Sequence, residues 1–210
     1  MRDPDLDPGR RRFMRLALAA PLVFAAGRKL RWLSDAAAAV RPESRVLAPT
    51  PECGDDDEPT HETTAGPFFK PRSPLRGSLL EPGTPGKRLV LTGKVFSVGC
   101  HPLAGALMDF WHADPEGEYD NVGFRLRGHQ YTDREGRWRL ETVVPGLYPG
   151  RTRHVHVKVQ APHGRPLTTQ LFFPGEPRNL RDGIFDPELM MAIREQGGRE
   201  AGRFHFVLAS

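Results

Sequence analysis

Glycine and proline punctuate this chain from end to end, 22 and 21 of them in 210 residues, with no repeat or low-complexity run. Proline breaks helices and sheet ladders and glycine favours turns, so punctuation this even predicts many short segments and little helix. The intervening stretches are rich in β-branched and aromatic residues and partly alternate: Arg88 to Val98, Ala106 to His112, Gly136 to Val143, Val155 to Val159, Leu167 to Phe173 and Arg203 to Leu208. Turn signals separate them at 99–102, 114–117, 133–136 and 145–146. The expected fold is all-β, an antiparallel β-sandwich with long loops. One short C-terminal helix is expected over Pro187 to Gln196, with Asp186 as N-cap and Gly197 beyond its end.

The charge is unevenly placed. Residues 1–40 hold eight of the 30 Lys and Arg and four of the 26 acids, which leaves 22 of each sign in 41–210. The basicity therefore belongs to the leader, and the chain shows no basic-aromatic platform for nucleic acid. Within 1–40, Arg10-Arg-Arg-Phe-Met-Arg15 precedes the apolar run Leu16 to Ala26 and resembles a twin-arginine export signal. That run is short for a membrane span, although an uncleaved leader would tether the protein to a membrane. Cleavage is expected near Ala36 to Ala39. Residues 41–60 read as a Pro-rich acidic linker and 61–210 as the β-sandwich domain. An exported location, periplasmic or extracellular, would let Cys53 and Cys100, the only two cysteines, form a disulfide.

The chemistry-bearing stretch is Val144 to Gln160. It contains Tyr148, Arg151, Arg153, His154 and His156. In a strand, side chains alternate with a period of two, so His154 and His156 share one face and can share a metal. Imidazole pairs suit zinc, copper, iron or nickel, and the pair alone does not choose among them. Tyr119, on the turn after Met108-Asp-Phe-Trp-His112, adds a second phenol. Phe68 and Phe69 are expected to pack on the domain, Arg125 and Arg127 to lie in a solvated hairpin, and His112 to sit in a core strand.

Leu91-Thr-Gly-Lys-Val, Met108 to Tyr119, Pro145-Gly-Leu-Tyr148, His154-Val-His156 and Thr169-Gln-Leu-Phe-Phe-Pro-Gly175 together resemble the intradiol ring-cleavage dioxygenases, and the leader suits their exported subgroup. The resemblance covers roughly residues 60–177, its ordered set being far more specific than any one motif. It implies a non-haem Fe(III) held by Tyr119, Tyr148, His154 and His156. It implies cleavage of a catechol-type substrate by O2 between the two hydroxylated carbons, giving a muconate-type dicarboxylate. Tyr148 would take up a substrate proton, Arg151 would stabilise charge on the ring with Arg153 as its rival by proximity, and Gln170 would lie near the substrate. The residues alone leave two other readings, a cupin-like divalent-metal enzyme and a non-catalytic β-sandwich binding module. They leave self-association open.

Overall fold

The computed structural model describes residues 58–209. The expected export signal, Cys53 and all of the acidic linker except residues 58–60 lie outside them; Cys100 is disulfide-bonded.

The strands are β1 (Arg88–Ser97), β2 (Leu107–Trp111), β3 (Arg127–Tyr131), β4 (Arg137–Val143), β5 (His154–Gln160), β6 (Leu167–Phe172), β7 (Ala192–Gln196), β8 (Arg199–Arg203) and β9 (Phe206–Leu208). They form two sheets. One has the order β4-β1-β8-β7, with β9 pairing further along β1, and the other has the order β3-β2-β5-β6. All pairings in the second sheet are antiparallel, whereas β8 and β9 both run parallel to β1.

The core lies between the sheets. Leu89, Leu91 and Val95 of β1 and Leu140 of β4 face Met108 and Phe110 of β2 and Val155, Val157 and Val159 of β5, all completely buried. Burial of one such side chain is worth about 1.5–3 kcal/mol. His112, at the end of β2, is buried as expected and spans the sheets by a 2.6 Å hydrogen bond between its Nε2 and Thr142 Oγ1.

The expected helix over Pro187 to Gln196 is not formed. Asp186 does cap a turn, its carboxylate accepting from Glu188 N, but that 3-10 turn ends at Leu189 and the chain becomes β7. The Gly197-Gly198 pair explains the difference. Both residues have positive φ, +59° and +74°, the requirement of a two-residue hairpin turn, and Gln196 pairs with Arg199 across it. Gly197 therefore joins two strands instead of ending a helix. The solvated-hairpin expectation also fails for Arg127, which lies in β3 and is 2% exposed. Three hydrogen bonds to main-chain carbonyls account for its burial: its guanidinium donates once to Phe68 O and twice to Asp120 O.

Gly93 marks where β1 changes partner from β8 to β9. The connecting backbone crosses so closely that a Cβ at Gly93 would sit 1.7 Å from Phe204 O. Gly93→Ala must displace main chain of β1 or of the β8–β9 connection, and overpacking of this kind costs about 1–3 kcal/mol. Urea denaturation should show that loss as a lower midpoint at unchanged slope.

Candidate metal centre

Register puts the candidate site on the outer face of the second sheet. His156 pairs with Trp111 on one side and Gln170 on the other, and His154 pairs with Phe172. Since Val155 and Val157 fill the core, both imidazoles project from the opposite face, where the long loops cover them. His154 and His156 are 4% and 2% exposed.

Two of these loops carry the phenols. After β2, Asp114 Oδ1 accepts from Glu116 N and Glu118 N and closes the turn that presents Tyr119. After β4, the segment leading to Tyr148 is joined to that turn by Gly146 N donating to Asp114 O at 2.7 Å. The approach is backbone to backbone. A Cβ at Gly117 would lie 2.6 Å from Leu147 O, and one at Gly146 would lie 2.3 Å from Pro115 O. Glycine at both positions lets the tyrosine-bearing loops meet.

Tyr119 Oη lies 3.2 Å from His154 Nε2, which lies 3.1 Å from His156 Nε2. Tyr148 stands beside them, its ring edge-on to Tyr119 at 5.7 Å between centroids. The protons can be placed. His154 Nδ1 donates to Thr152 O at 2.7 Å, a carbonyl that can only accept. Burial lowers the pKa of His154 to about 4 and that of His156 well below the ordinary histidine value, so both rings are neutral. His154 therefore turns a bare Nε2 lone pair towards Tyr119 and His156.

That lone pair is over-subscribed. Tyr119 O–H and any proton on His156 Nε2 compete for it, while His156 Nδ1 is buried without a hydrogen-bond partner. If His156 instead carries its proton on Nδ1, two lone pairs face each other. A cation shared by the three donors relieves either arrangement, and in that sense the residues fit a bound metal. Burial raises the pKa of Tyr119 while the Arg151 and Arg127 guanidinium groups lower it in part, so its ionisation also calls for a cation.

Aromatic rings wall the cluster. Phe68 stacks on Tyr119 at 4.4 Å and meets Tyr148 edge-on at 5.2 Å, Trp111 stacks on His156 at 4.8 Å, and Phe69 tilts against Trp111. The expected packing of Phe68 is therefore packing onto candidate ligands, and that of Phe69 is onto Trp111, which stacks on His156. The buried Arg127 ties the Phe68 carbonyl to that of Asp120, just after Tyr119.

The two arginines part company. Arg151 donates to Gln170 Oε1 at 2.6 Å and to Asp182 Oδ2 at 2.9 Å, which brings it together with the expected substrate-side glutamine. Arg153 turns away to Glu176 and the Pro145 carbonyl and lies over the ring of Phe173. Burial works to raise the pKa of Asp182, but the N–H groups of Thr152 and Ile184 and the Arg151 guanidinium together hold it below the usual carboxylate range. Nothing in the sequence around Asn179-Leu-Arg-Asp-Gly183 distinguishes Asp182 from an ordinary polar turn residue. A cupin-like site would add a third histidine and a carboxylate to the pair. Among the described residues, no group of three or more His, Cys, Asp or Glu is placed to hold a metal.

A sequence model described as "Dioxygenase" matches residues 64–197, which places this β-sandwich and its Tyr-His cluster among the dioxygenases. The dioxygenase domain of a dioxygenase–carbohydrate-binding fusion from Streptomyces sp. SirexAA-E is 55% identical, with a TM-score of 0.71 over 72% of this chain and 99% of that domain. Catechol 1,2-dioxygenase 2 of Acinetobacter lwoffii is 32% identical over 72% of this chain and 65% of its own length. The protocatechuate 3,4-dioxygenase beta chain of Burkholderia cepacia is 34% identical over 48% of this chain and 50% of its own length. The chain thus spans between half and two thirds of these two curated relatives. It belongs to the intradiol ring-cleavage dioxygenase family.

His112 lies outside the donor set, and burial lowers its pKa to about 4. Between the ordinary value of 6.5 and about 4, the unfolded chain binds the proton that the folded chain refuses, so stability falls as pH falls through that window. Urea midpoints measured with a chelator present should decline from pH 6.5 towards pH 4, and His112→Gln, which cannot titrate, should give a shallower slope.

Proposed function

We propose that the protein is an exported ferric intradiol dioxygenase. It would cleave the ring of a catechol-type substrate between the two hydroxylated carbons, incorporate both atoms of O2, and release a muconate-type dicarboxylate. The convergence of Tyr119 Oη, His154 Nε2 and His156 Nε2, in successive steps of 3.2 and 3.1 Å, carries this reading. Relatives named for catechol, chlorocatechol and hydroxyquinol support a vicinal diphenol as substrate.

Tyr119, Tyr148, His154 and His156 would hold non-haem Fe(III). Anionic phenolates favour a ferric ion, and neutral imidazoles suit iron. When bound, the ion supplies the Lewis acidity that favours the catecholate form of the substrate and its reaction with O2. The remaining work falls to the chain. Tyr148, less buried than Tyr119, takes a substrate proton at its Oη, and Tyr119 stays in place beneath Phe68. Arg151, braced by Gln170 and Asp182, meets the negative charge on the ring. Phe68 and Trp111 keep water from the reacting atoms.

Purified protein should contain iron and show a tyrosinate-to-iron band that colours it red to brown, with oxygen uptake on a panel of catechol, protocatechuate and hydroxyquinol. Tyr119→Phe and His156→Ala should lose the iron or the band. Arg151→Ala should lower kcat about 100-fold, and Arg153→Ala should stay near wild type. A colourless preparation that remains inert after ferric reconstitution would falsify the assignment.

The leader motif supports the proposed export. Replacing Arg10 and Arg11 by lysine should leave the full chain in the cytoplasm on cell fractionation.

A further inference from the structure

Arg151 is gripped at two points, and the partner at each point is itself fixed. Gln170, which accepts one terminal N–H of the guanidinium, donates its own amide to Thr64 O at 2.9 Å. Asp182, which accepts Arg151 Nε–H, sits on the loop between β6 and β7 with its side chain 3% exposed. Its Oδ2 also accepts Thr152 N–H at 2.7 Å, and its Oδ1 accepts Ile184 N–H at 3.0 Å.

Thr152 links this carboxylate to the metal cluster. Its N–H is held by Asp182, and its carbonyl takes the Nδ1 proton of His154. The Thr152 hydroxyl is fixed too, donating to Asn179 Oδ1 at 2.6 Å. Arg151 and Thr152 precede β5, so no ladder sets their orientation; the loop carrying Asn179 and Asp182 does so instead.

We propose that Asp182 is a positioning residue for ring cleavage: it orients the Arg151 guanidinium towards the substrate and, through Thr152, sets the plane of the His154 ring. The proposal rests on the functional reading above. A buried carboxylate is costly to retain unless charge and hydrogen bonds compensate it, and here each compensating donor is Arg151 itself or a main-chain N–H beside it or in its own loop. Orientation is what this geometry contributes. The guanidinium is a planar fork, and charge alone would not require a partner on Nε as well as on a terminal nitrogen.

Asp182→Asn keeps the size and removes the charge. One amide oxygen cannot accept from Arg151, Thr152 and Ile184 as two carboxylate oxygens do. Kcat per bound iron should fall about 10- to 100-fold, the range seen when a group that orients metal ligands is removed. Anaerobic optical titration with catechol should show an altered charge-transfer spectrum for the complex. Arg151→Lys, which retains the charge and discards the fork, should lose activity to a similar degree. In the double variant Asp182→Asn/Arg151→Ala the loss should be smaller than the two single losses combined, because the part of the Asp182 effect that acts through Arg151 is already gone while the part passing through Thr152 to His154 remains.

Additive losses, or a lower melting temperature with wild-type kcat per iron and an unchanged catechol spectrum, would make Asp182 a loop anchor only and overturn the proposal. Should Asp182→Asn fail to fold, Arg151→Lys decides: wild-type kcat per iron in that variant overturns orientation as the cause. A wild-type protein that neither binds iron nor consumes oxygen with any diphenol overturns the functional reading, and this proposal with it. An active wild type with additive losses overturns this proposal alone.

Discussion

Along β5 the side chains alternate between two interiors. Val155, Val157 and Val159 are fully buried against the other sheet, and the intervening His154 and His156 are almost as buried on the opposite face. A slip of one residue in register would exchange the sets, placing imidazoles in the apolar core and valines among the phenols. The energy that packs the sandwich therefore also fixes where the two nitrogens point. Neighbouring strands extend the arrangement, for the register partners of His156 supply a stacked indole on one side and the glutamine that receives Arg151 on the other.

Burial on that outer face determines the protonation as well. It disfavours imidazolium and phenolate alike, and the Thr152 carbonyl decides which nitrogen of His154 retains a proton. The result is a group of neutral donors turned inwards in a space walled by Phe68, Phe69 and Trp111, with Arg127 and Arg151 as the nearby cations. Arg127 is the less expected of the two because it bonds to carbonyl oxygens of the loops bearing Phe68 and Tyr119. Its charge lowers the pKa of Tyr119 against the effect of burial, so it acts on the phenol electrostatically while tying the two loops together.

The strands whose residues alternate or are β-branched were legible in the sequence, as was the shared face of His154 and His156. The segments that escaped have identifiable reasons. Ala192–Gln196 is largely exposed and mixes charged residues with one isoleucine, so its strand character comes from pairing with β8 across Gly197-Gly198 and not from its own pattern. Asp186 was a true cap signal attached to a turn too short to become a helix. Arg127 reads as a surface residue because an arginine buried on main-chain carbonyls leaves no local trace; its partners lie 7 and 59 positions away. Asp182 is similar, bonded to Arg151 from 31 positions further on. Tyr119, Tyr148, His154 and His156 stand out as candidate ligands by their order along the chain, whereas the groups that hold them in place are defined only by folding.

The two phenols are unequal in a way that bears on the proposed chemistry. Tyr119 is 8% exposed, lies in parallel contact with Phe68 and shares a hydrogen bond with His154. Moving it would disrupt a stacked pair and expose apolar surface. Tyr148 is half-buried and meets Phe68 and Tyr119 only by ring edges, on a loop whose close packing is concentrated at Gly146 and Leu147. A ligand that must receive a proton and give way to a substrate oxygen is better placed at the looser position, since less contact is lost when it moves. The same asymmetry separates the arginines. Arg151 is turned inwards by an amide and a carboxylate, while Arg153, two residues later, is committed to Glu176 and Phe173. In each pair the fold holds one member in structural contacts and leaves the other facing the proposed reaction.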